Sequence, residues 1–403
     1  MDPVDDDNGE TRMNMINVRV KRDRIHIRMW LLAISFLLLA VACSSSDESG
    51  EQQPTSLTVY VYSPEHPLLI RSDVGNVDAS VGETKITRLQ IWVFNSATEE
   101  TVAYLDTNDT DNTAQLNVGE GTVYQLPVSD DFARNKPNVD VYVIANFTNT
   151  LDGESTTLDG ESTRQDILDA TIDETSFATP TTSVPAAGLP MAGSLTAQPV
   201  VGDAPVLRVG TASNIATVRL ERAVSKVRFV FANTASSDPA TSVDPLYIKK
   251  ITLRDDMIPD KEYLIQQTRT LPTDWTWNAE LVTLWTATDT EEKVAEVSDP
   301  TIYIYGGQEA QAYENLIDQS GLTKKGPFYL RESDKKLKGT ITYQIGTKDE
   351  QTGTFEMATA GDFRRNHTWI VYAYHAGGGF LQMETVYIKD WTNINASHEV
   401  YNW

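Results

Sequence analysis

The alternation of apolar and polar positions is the strongest pattern in the chain. Leu57, Val59 and Val61 alternate with Thr58, Tyr60 and Tyr62, and Leu89, Ile91 and Val93 alternate with Gln90, Trp92 and Phe94. Val139, Val141 and Val143 repeat the period, as do Val227, Phe229 and Phe231. It returns at Ile302 and Ile304, at Ile341, Tyr343 and Ile345, at Trp369, Val371 and Ala373, and at Val386 and Ile388. A strand sends successive side chains to opposite faces, so a period of two predicts strands with one buried face. Turn-rich pieces such as Asp106–Asn112 and Gly377–Gly379 separate them. Helical signals are scarce. The best is Arg164–Ala170, with Ser162 or Thr163 as its cap. Many short strands and few short helices predict an all-β fold of the sandwich class.

The first residues follow a different pattern. Residues 18–28 (VRVKRDRIHIR) are basic, and residues 29–43 (MWLLAISFLLLAVAC) are apolar except for Ser35. Fifteen helical residues span roughly 22 Å, short of the ~30 Å hydrocarbon core of a bilayer. A basic stretch, a short apolar run and small residues before a cut describe a signal peptide, so residues 1–42 are excluded from the fold. The acidic stretch before it suggests Met13 or Met15 as the translation start. Leu39-Ala40-Val41-Ala42-Cys43 resembles the bacterial lipobox, whose cysteine takes lipid, with Ala40 as a departure from the usual leucine. This predicts anchoring to a membrane through Cys43 rather than spanning it. The polar SSSDESGEQQPTS that follows reads as a tether. Leu151–Thr156 and Leu158–Thr163 both read LDGEST, too brief a repeat for a solenoid and better taken as a duplicated loop. Pro180–Pro190 reads as a surface crossing, and a domain boundary is placed near Ser213.

Composition narrows the function classes. The 403 residues carry 33 Lys and Arg against 57 Asp and Glu, a net charge of −24. That field repels phosphate backbones and argues against nucleic acid as a partner. Cys43 is the one cysteine, which excludes an intramolecular disulfide and a cysteine zinc site. No two of the five histidines have the spacing of a metalloprotease helix. Asp106, Asn108, Asp109 and Asp111 hint at a calcium loop, but Asp111 stands where such a loop needs glycine, so a solvated turn is the better reading. Ala376–Phe380 (AGGGF) lacks the helix and lysine of a phosphate cradle and reads as a flexible joint. His367 reads as a packed strand histidine. No catalytic residue, metal or cofactor is predicted, and the chain is not expected to be an enzyme.

Several segments resemble one family when taken in order. They are the strand SLTVYVYSPEHPLLIR (56–71), KITRLQIWVFNSATEETVAY (85–104), VDVYVIANFTN (139–149) and GLPMAGSLT (188–196). ATVRLERAVSKVRFVFAN (216–233), RRNHTWIVYAY (364–374) and METVYIKDWTNINASHEVYNW (383–403) follow. This series is similar to the fimbrillins, the type V pilus subunits of Bacteroidetes, including the major fimbrial subunit of Porphyromonas. The resemblance implies two β-sandwich domains of transthyretin-like topology. It also implies export as a lipoprotein to the outer membrane, a cut by an arginine-specific protease, and growth of a surface fimbria by strand exchange among copies of the chain and other fimbrial subunits. Adhesion and biofilm formation are the implied role.

On this chain Arg71 is the one Lys or Arg from Cys43 to Thr84, which makes Arg71–Ser72 the expected cut. The expected organisation is a pro-segment 43–71 carrying a removable first strand, an N-terminal sandwich 72–213 and a C-terminal sandwich 214–403. The donor strand is expected in the tail from about 380, with Val386, Ile388, Trp391, Ile394, Val400 and Trp403 as its apolar residues. An available cut and a long tail favour a stalk subunit over an anchor or a tip. The competing class is a surface glycan-binding lipoprotein, for which Trp275, Trp277 and Trp285 would supply stacking faces.

Overall fold

The alternating stretches become paired strands in a computed structural model of the chain. It describes residues 55–62, 82–83, 85–108, 122–147, 158–174, 176–202, 205–210, 217–235, 243–254, 258–265, 281–288, 292–300, 321–333, 335, 337–357, 364–377, 379–388 and 398–402. Among these, the first part of the chain forms β1 (Ser56–Tyr62), β2 (Leu89–Asn95), β3 (Thr101–Asp106), β4 (Thr122–Pro127), α1 (Asp130–Asn135), β5 (Val139–Ala145) and α2 (Arg164–Asp169). It continues with β6 (Thr171–Asp173), β7 (Met191–Gln198), β8 (Val200–Val201), β9 (Val206–Val209), β10 (Thr217–Arg219) and β11 (Glu221–Arg222). The second part forms β12 (Val224–Thr234), β13 (Leu246–Leu253), β14 (Lys261–Tyr263), β15 (Val282–Thr286), β16 (Glu292–Lys293) and β17 (Glu296–Val297). Then come β18 (Thr323–Arg331), β19 (Leu337–Ile345), β20 (Gln351–Met357), β21 (Thr368–His375), β22 (Gln382–Ile388) and β23 (His398–Asn402).

These strands build two pairs of sheets. In the first pair, one sheet runs β8–β9–β1–β4, with β10 on the β9 flank of β1, and the other runs β3–β2–β5–β7–β11. In the second pair, one sheet runs β18–β12–β21–β22–β23, with β17 on the β18 flank. Its partner runs β15–β13–β19–β20, with β16 on the β15 flank. Each pair has its own apolar cluster. Leu57, Ile91, Val143 and Leu207 belong to the first, and Val227, Phe229, Ile251, Ile341 and Val371 to the second. The architecture is the all-β sandwich class that the alternation predicts. Ile302 and Ile304 lie outside the described residues.

Alternation predicts one buried face, yet β2 and β5 are buried along nearly their whole length. A further layer over the sheet accounts for this. Trp92 Nε1 donates to the Asp159 carbonyl at 2.7 Å, and Gln90 Nε2 donates to that of Leu158 at 2.9 Å. From α2, Arg164 Nε reaches the Tyr142 hydroxyl at 3.3 Å and Asp140 at 3.1 Å. Even-numbered side chains of β2 and β5 therefore meet residues 158–169, and odd-numbered ones are left for the sheet that contains β1. The second LDGEST copy is thus a packed loop leading into α2, which opens on a capping box between Thr163 and Asp166. The first copy lies outside the described residues.

The two pairs of sheets are closely joined, and the described residues form one compact unit. Ala223 carries the chain from β11 directly into β12. The core changes over between Val224, in the first cluster, and Val227, in the second. Leu264, Ile265 and Tyr329 come from the later part of the chain yet belong to the first cluster. A ribbon of β6 and β14 pairs Glu262 with Ile172, and Thr181 and Tyr329 exchange backbone hydrogen bonds of 3.2 and 2.8 Å.

Candidate functional site, the slot of the first strand

β1 begins the described chain and is held on both edges. On one side β4 runs antiparallel to it, from Ser56↔Pro127 to Val61↔Thr122. On the other side β9 runs parallel to Ser56–Thr58, and β10 runs parallel to Tyr60–Tyr62. Leu57, Val59 and Val61 are 0%, 1% and 4% exposed and lie in the first core cluster. Burying three such side chains contributes roughly 5–9 kcal/mol, comparable to the 5–15 kcal/mol net stability of a typical domain. Without β1, the edges of β4 and of β9 with β10 would face each other across an apolar slot one strand wide. Such paired open edges are a template for an incoming strand.

β12 has the same wiring in the second pair of sheets. It runs antiparallel to β18 from Val224↔Arg331 and parallel to β21 from Lys226↔Thr368 to Asn233↔His375. The difference lies in what precedes each strand. β12 is a continuation of β11 inside the fold, whereas β1 is preceded by the segment carrying Cys43.

A second cluster sits where the two pairs of sheets meet. Glu262 of β14 is fully buried beside Arg365, Glu332 and Arg331, and its Oε2 accepts the Glu332 backbone N–H. Arg365 Nε pairs with Glu332 at 2.8 Å, and its Nη1 donates to the Leu264 carbonyl at 2.7 Å. Arg331 Nε donates to the Pro259 carbonyl at 3.1 Å, and its Nη1 to that of Phe177 at 2.9 Å. Burial pushes the Glu262 carboxyl well above the ordinary carboxylate range despite the nearby Arg365, so it is held neutral when the unfolded chain would ionise. A raised folded value makes the native state bind the proton more tightly. Its stabilising effect is complete below about pH 4.3, the unfolded glutamate value, and is lost as pH rises through the folded value. A Glu262→Gln chain should therefore lose stability less steeply than wild type above that pH. Denaturant midpoints measured from pH 4 to pH 8 check this, and parallel curves would refute it.

The expected site residues fall in several places. Cys43, Arg71, Ser72, Trp391, Ile394 and Trp403 lie outside the described residues. Val386 and Ile388 are in β22 and Val400 is in β23, where Val386 pairs with both Ile370 and Val400. The described parts of the tail, β22 and β23, thus lie in their own sheet in this structure. Asp106 accepts from Arg88 Nε at 3.1 Å and from the Asn108 N–H at 2.9 Å, and its side chain is mostly buried in that ion pair; Asp109 and Asp111 lie outside the described residues. Of the tryptophan cluster, Trp285 packs on the second core, and Lys325 Nζ lies 4.3 Å from its ring centre. Trp275 and Trp277 lie outside the described residues. Among the described residues, no group of three or more His, Cys, Asp or Glu is placed to hold a metal ion. No described helix is long and apolar enough to cross a membrane.

Two β-sandwiches, with a first strand gripped on both edges, define the class as an all-β protein. Residues 69–250 match the family model of the major fimbrial subunit protein, FimA, which is a structural family and not an enzyme family. The fimbrillin resemblance read from the sequence is borne out over that segment. Similar solved structures include the tip fimbrial protein Mfa3 of Porphyromonas gingivalis, 12% identical, covering 87% of this chain and 100% of that one with a TM-score of 0.47. A fimbrial assembly protein of Parabacteroides distasonis is 12% identical, with 87% and 100% covered and a TM-score of 0.44. The fimbrillin FimA of P. gingivalis is 11% identical, with 82% and 92% covered and a TM-score of 0.41. No curated protein sequence matches the chain.

Proposed function

We propose that this chain is a structural subunit of a surface fimbria that supports cell adhesion and biofilm formation. In this reading it is exported as a lipoprotein through Cys43 and held at the outer membrane until an arginine-specific protease cuts between Arg71 and Ser72. The cut frees β1, and a strand from the tail of another copy or another fimbrial subunit enters the slot. The proposed domain division falls near Ala223 rather than at the expected Ser213, because β10 and β11 (residues 217–222) belong to the sheets of the first pair, and a stalk position is the proposed role. The observation that carries this reading is the position of β1: the strand upstream of the expected cut is clamped between β4 and the β9–β10 flank, so its loss opens a strand-sized slot. The family match over residues 69–250 supports it independently.

The test is the N-terminus of the protein recovered from the cell surface, together with electron microscopy of filaments. The surface chain should begin at Ser72. An Arg71→Ala chain should remain full length and form no filaments, and normal filaments from it would refute the processing step.

A further inference from the structure

Glu83 is 0% exposed, unlike most acidic residues of this chain. Its carboxylate reaches two residues that face each other across β12 and β18. Oε2 lies 3.2 Å from Lys226 Nζ, and the Tyr329 hydroxyl donates to Oε1. Its backbone carbonyl accepts from Arg222 Nε at 3.3 Å, and Arg222 Nη1 donates to Asn366 Oδ1 at 3.3 Å. Lys226 and Arg222 are each 0% exposed. Burying one carboxylate with an ammonium and a guanidinium is tolerated only when each is paired and hydrogen-bonded, and removing one partner is strongly destabilising. Beyond Glu83 the chain is held by more accessible bonds. Lys85 Nζ donates to the Ala186 carbonyl at 2.6 Å, and Asn146 Nδ2 donates to the Lys85 carbonyl at 2.6 Å, both in exposed settings.

We propose that Lys226 and Tyr329 form a buried carboxylate receptor, with Arg222 on the Glu83 backbone carbonyl, that latches the chain at Glu83 and fixes where opening from the N-terminal side stops. This rests on the reading that β1 is removed. Once the cut at Arg71 has separated β1 from the rest of the chain, Ser72 is a free end, and opening that starts there would otherwise pass through Lys85 to β2 and open the second sheet of the first sandwich. The latch places a buried ion pair, secured on β12 and β18 of the second sandwich, between the slot and β2. It also ties the first sandwich to the second while its own first strand is missing.

The experiment uses the full chain, with Glu83→Gln and Tyr329→Phe variants. Amide hydrogen exchange over residues 82–90 is followed with and without trypsin, and the product N-termini are read by mass spectrometry. Wild type should exchange slowly there in both states, and its digest should stop ahead of Lys85. Glu83→Gln should exchange at least tenfold faster in that segment, with cleavage continuing to Lys85, and Tyr329→Phe should lie between. Exchange in Glu83→Gln as slow as in wild type overturns the latch. Acceleration spread evenly over β5 and β21 marks general destabilisation and overturns it too. If the Arg71 bond resists trypsin in every chain while segment 82–90 still differs, the latch stands and the processing reading fails.

Discussion

A chain starting at Ser72 will melt at least about 10 °C below the full-length protein, and a synthetic peptide of residues 55–62 will restore most of the difference. The loss follows from β1 alone. Leu57, Val59 and Val61 are almost completely buried, and their removal forfeits roughly 5–9 kcal/mol of apolar burial. For a folded unit of 150–250 residues, each kcal/mol shifts the midpoint by about 2–4 °C. Hydrogen bonds to three flanking strands, on both edges, are lost as well, each worth about 0.5–1.5 kcal/mol net. The peptide restores stability because the slot has an edge on each side and an apolar floor. A peptide carrying Val59→Asp should fail, since its carboxylate would enter the core without a partner. The idea is lost if the truncated chain melts with the full-length protein, or if the two peptides act alike.

Much of this fold was legible as a period of two. The apolar runs at Leu57, Leu89, Val139, Val227, Ile341, Trp369 and Val386 all became strands, because a sheet beside a core demands that spacing. Less regular strands escaped. β18 contains Gly326 and Pro327, and β20 reads QTGTFEM with few apolar residues, so their pairing is set by partners far away in sequence. α1 is six residues long and shows only its cap, Ser129, and its acidic first turn. The slot was legible as a strand but not as a slot, since pairs such as Tyr60↔Thr217 join positions that no local pattern relates.

The buried charges were the least visible feature. The ERAVSKV stretch was informative only as part of a family resemblance, yet its physical reason lies in the junction. Arg222 and Lys226 are both buried, and both converge on Glu83. Sequence reasoning places charged residues at the surface, so Glu83, Glu262, Arg331 and Arg365 gave no signal. The hint available was that Arg222, Lys226 and Arg228 interrupt a run otherwise apolar enough for a core strand.

Deleting Asn393–Trp403 should leave a folded, normally processed monomer that cannot polymerise. Among the described residues β23 pairs with β22 alone, five residues against five, as an edge strand with one ladder. β22 is better held, because β21 pairs with it along seven residues on its other side. Detaching β23 therefore costs one short ladder, a few hydrogen bonds at about 0.5–1.5 kcal/mol net each. In the emptied slot a strand gains two ladders and the apolar floor left by Leu57, Val59 and Val61. In the proposed exchange a tail strand moves from one partner to two, and β22 stays to close the donor's own sheet, so of the expected donor residues Val386 and Ile388 remain behind and those beyond them make the transfer. Truncation should accordingly shift the melting temperature of the unprocessed monomer by only a few degrees while abolishing filaments. Mixing truncated chains, cut at Arg71, with full-length cut chains should also shorten filaments, because a truncated subunit accepts a strand and passes none on. Heat-resistant ladders on a gel from truncated chains alone would show that the donor lies elsewhere.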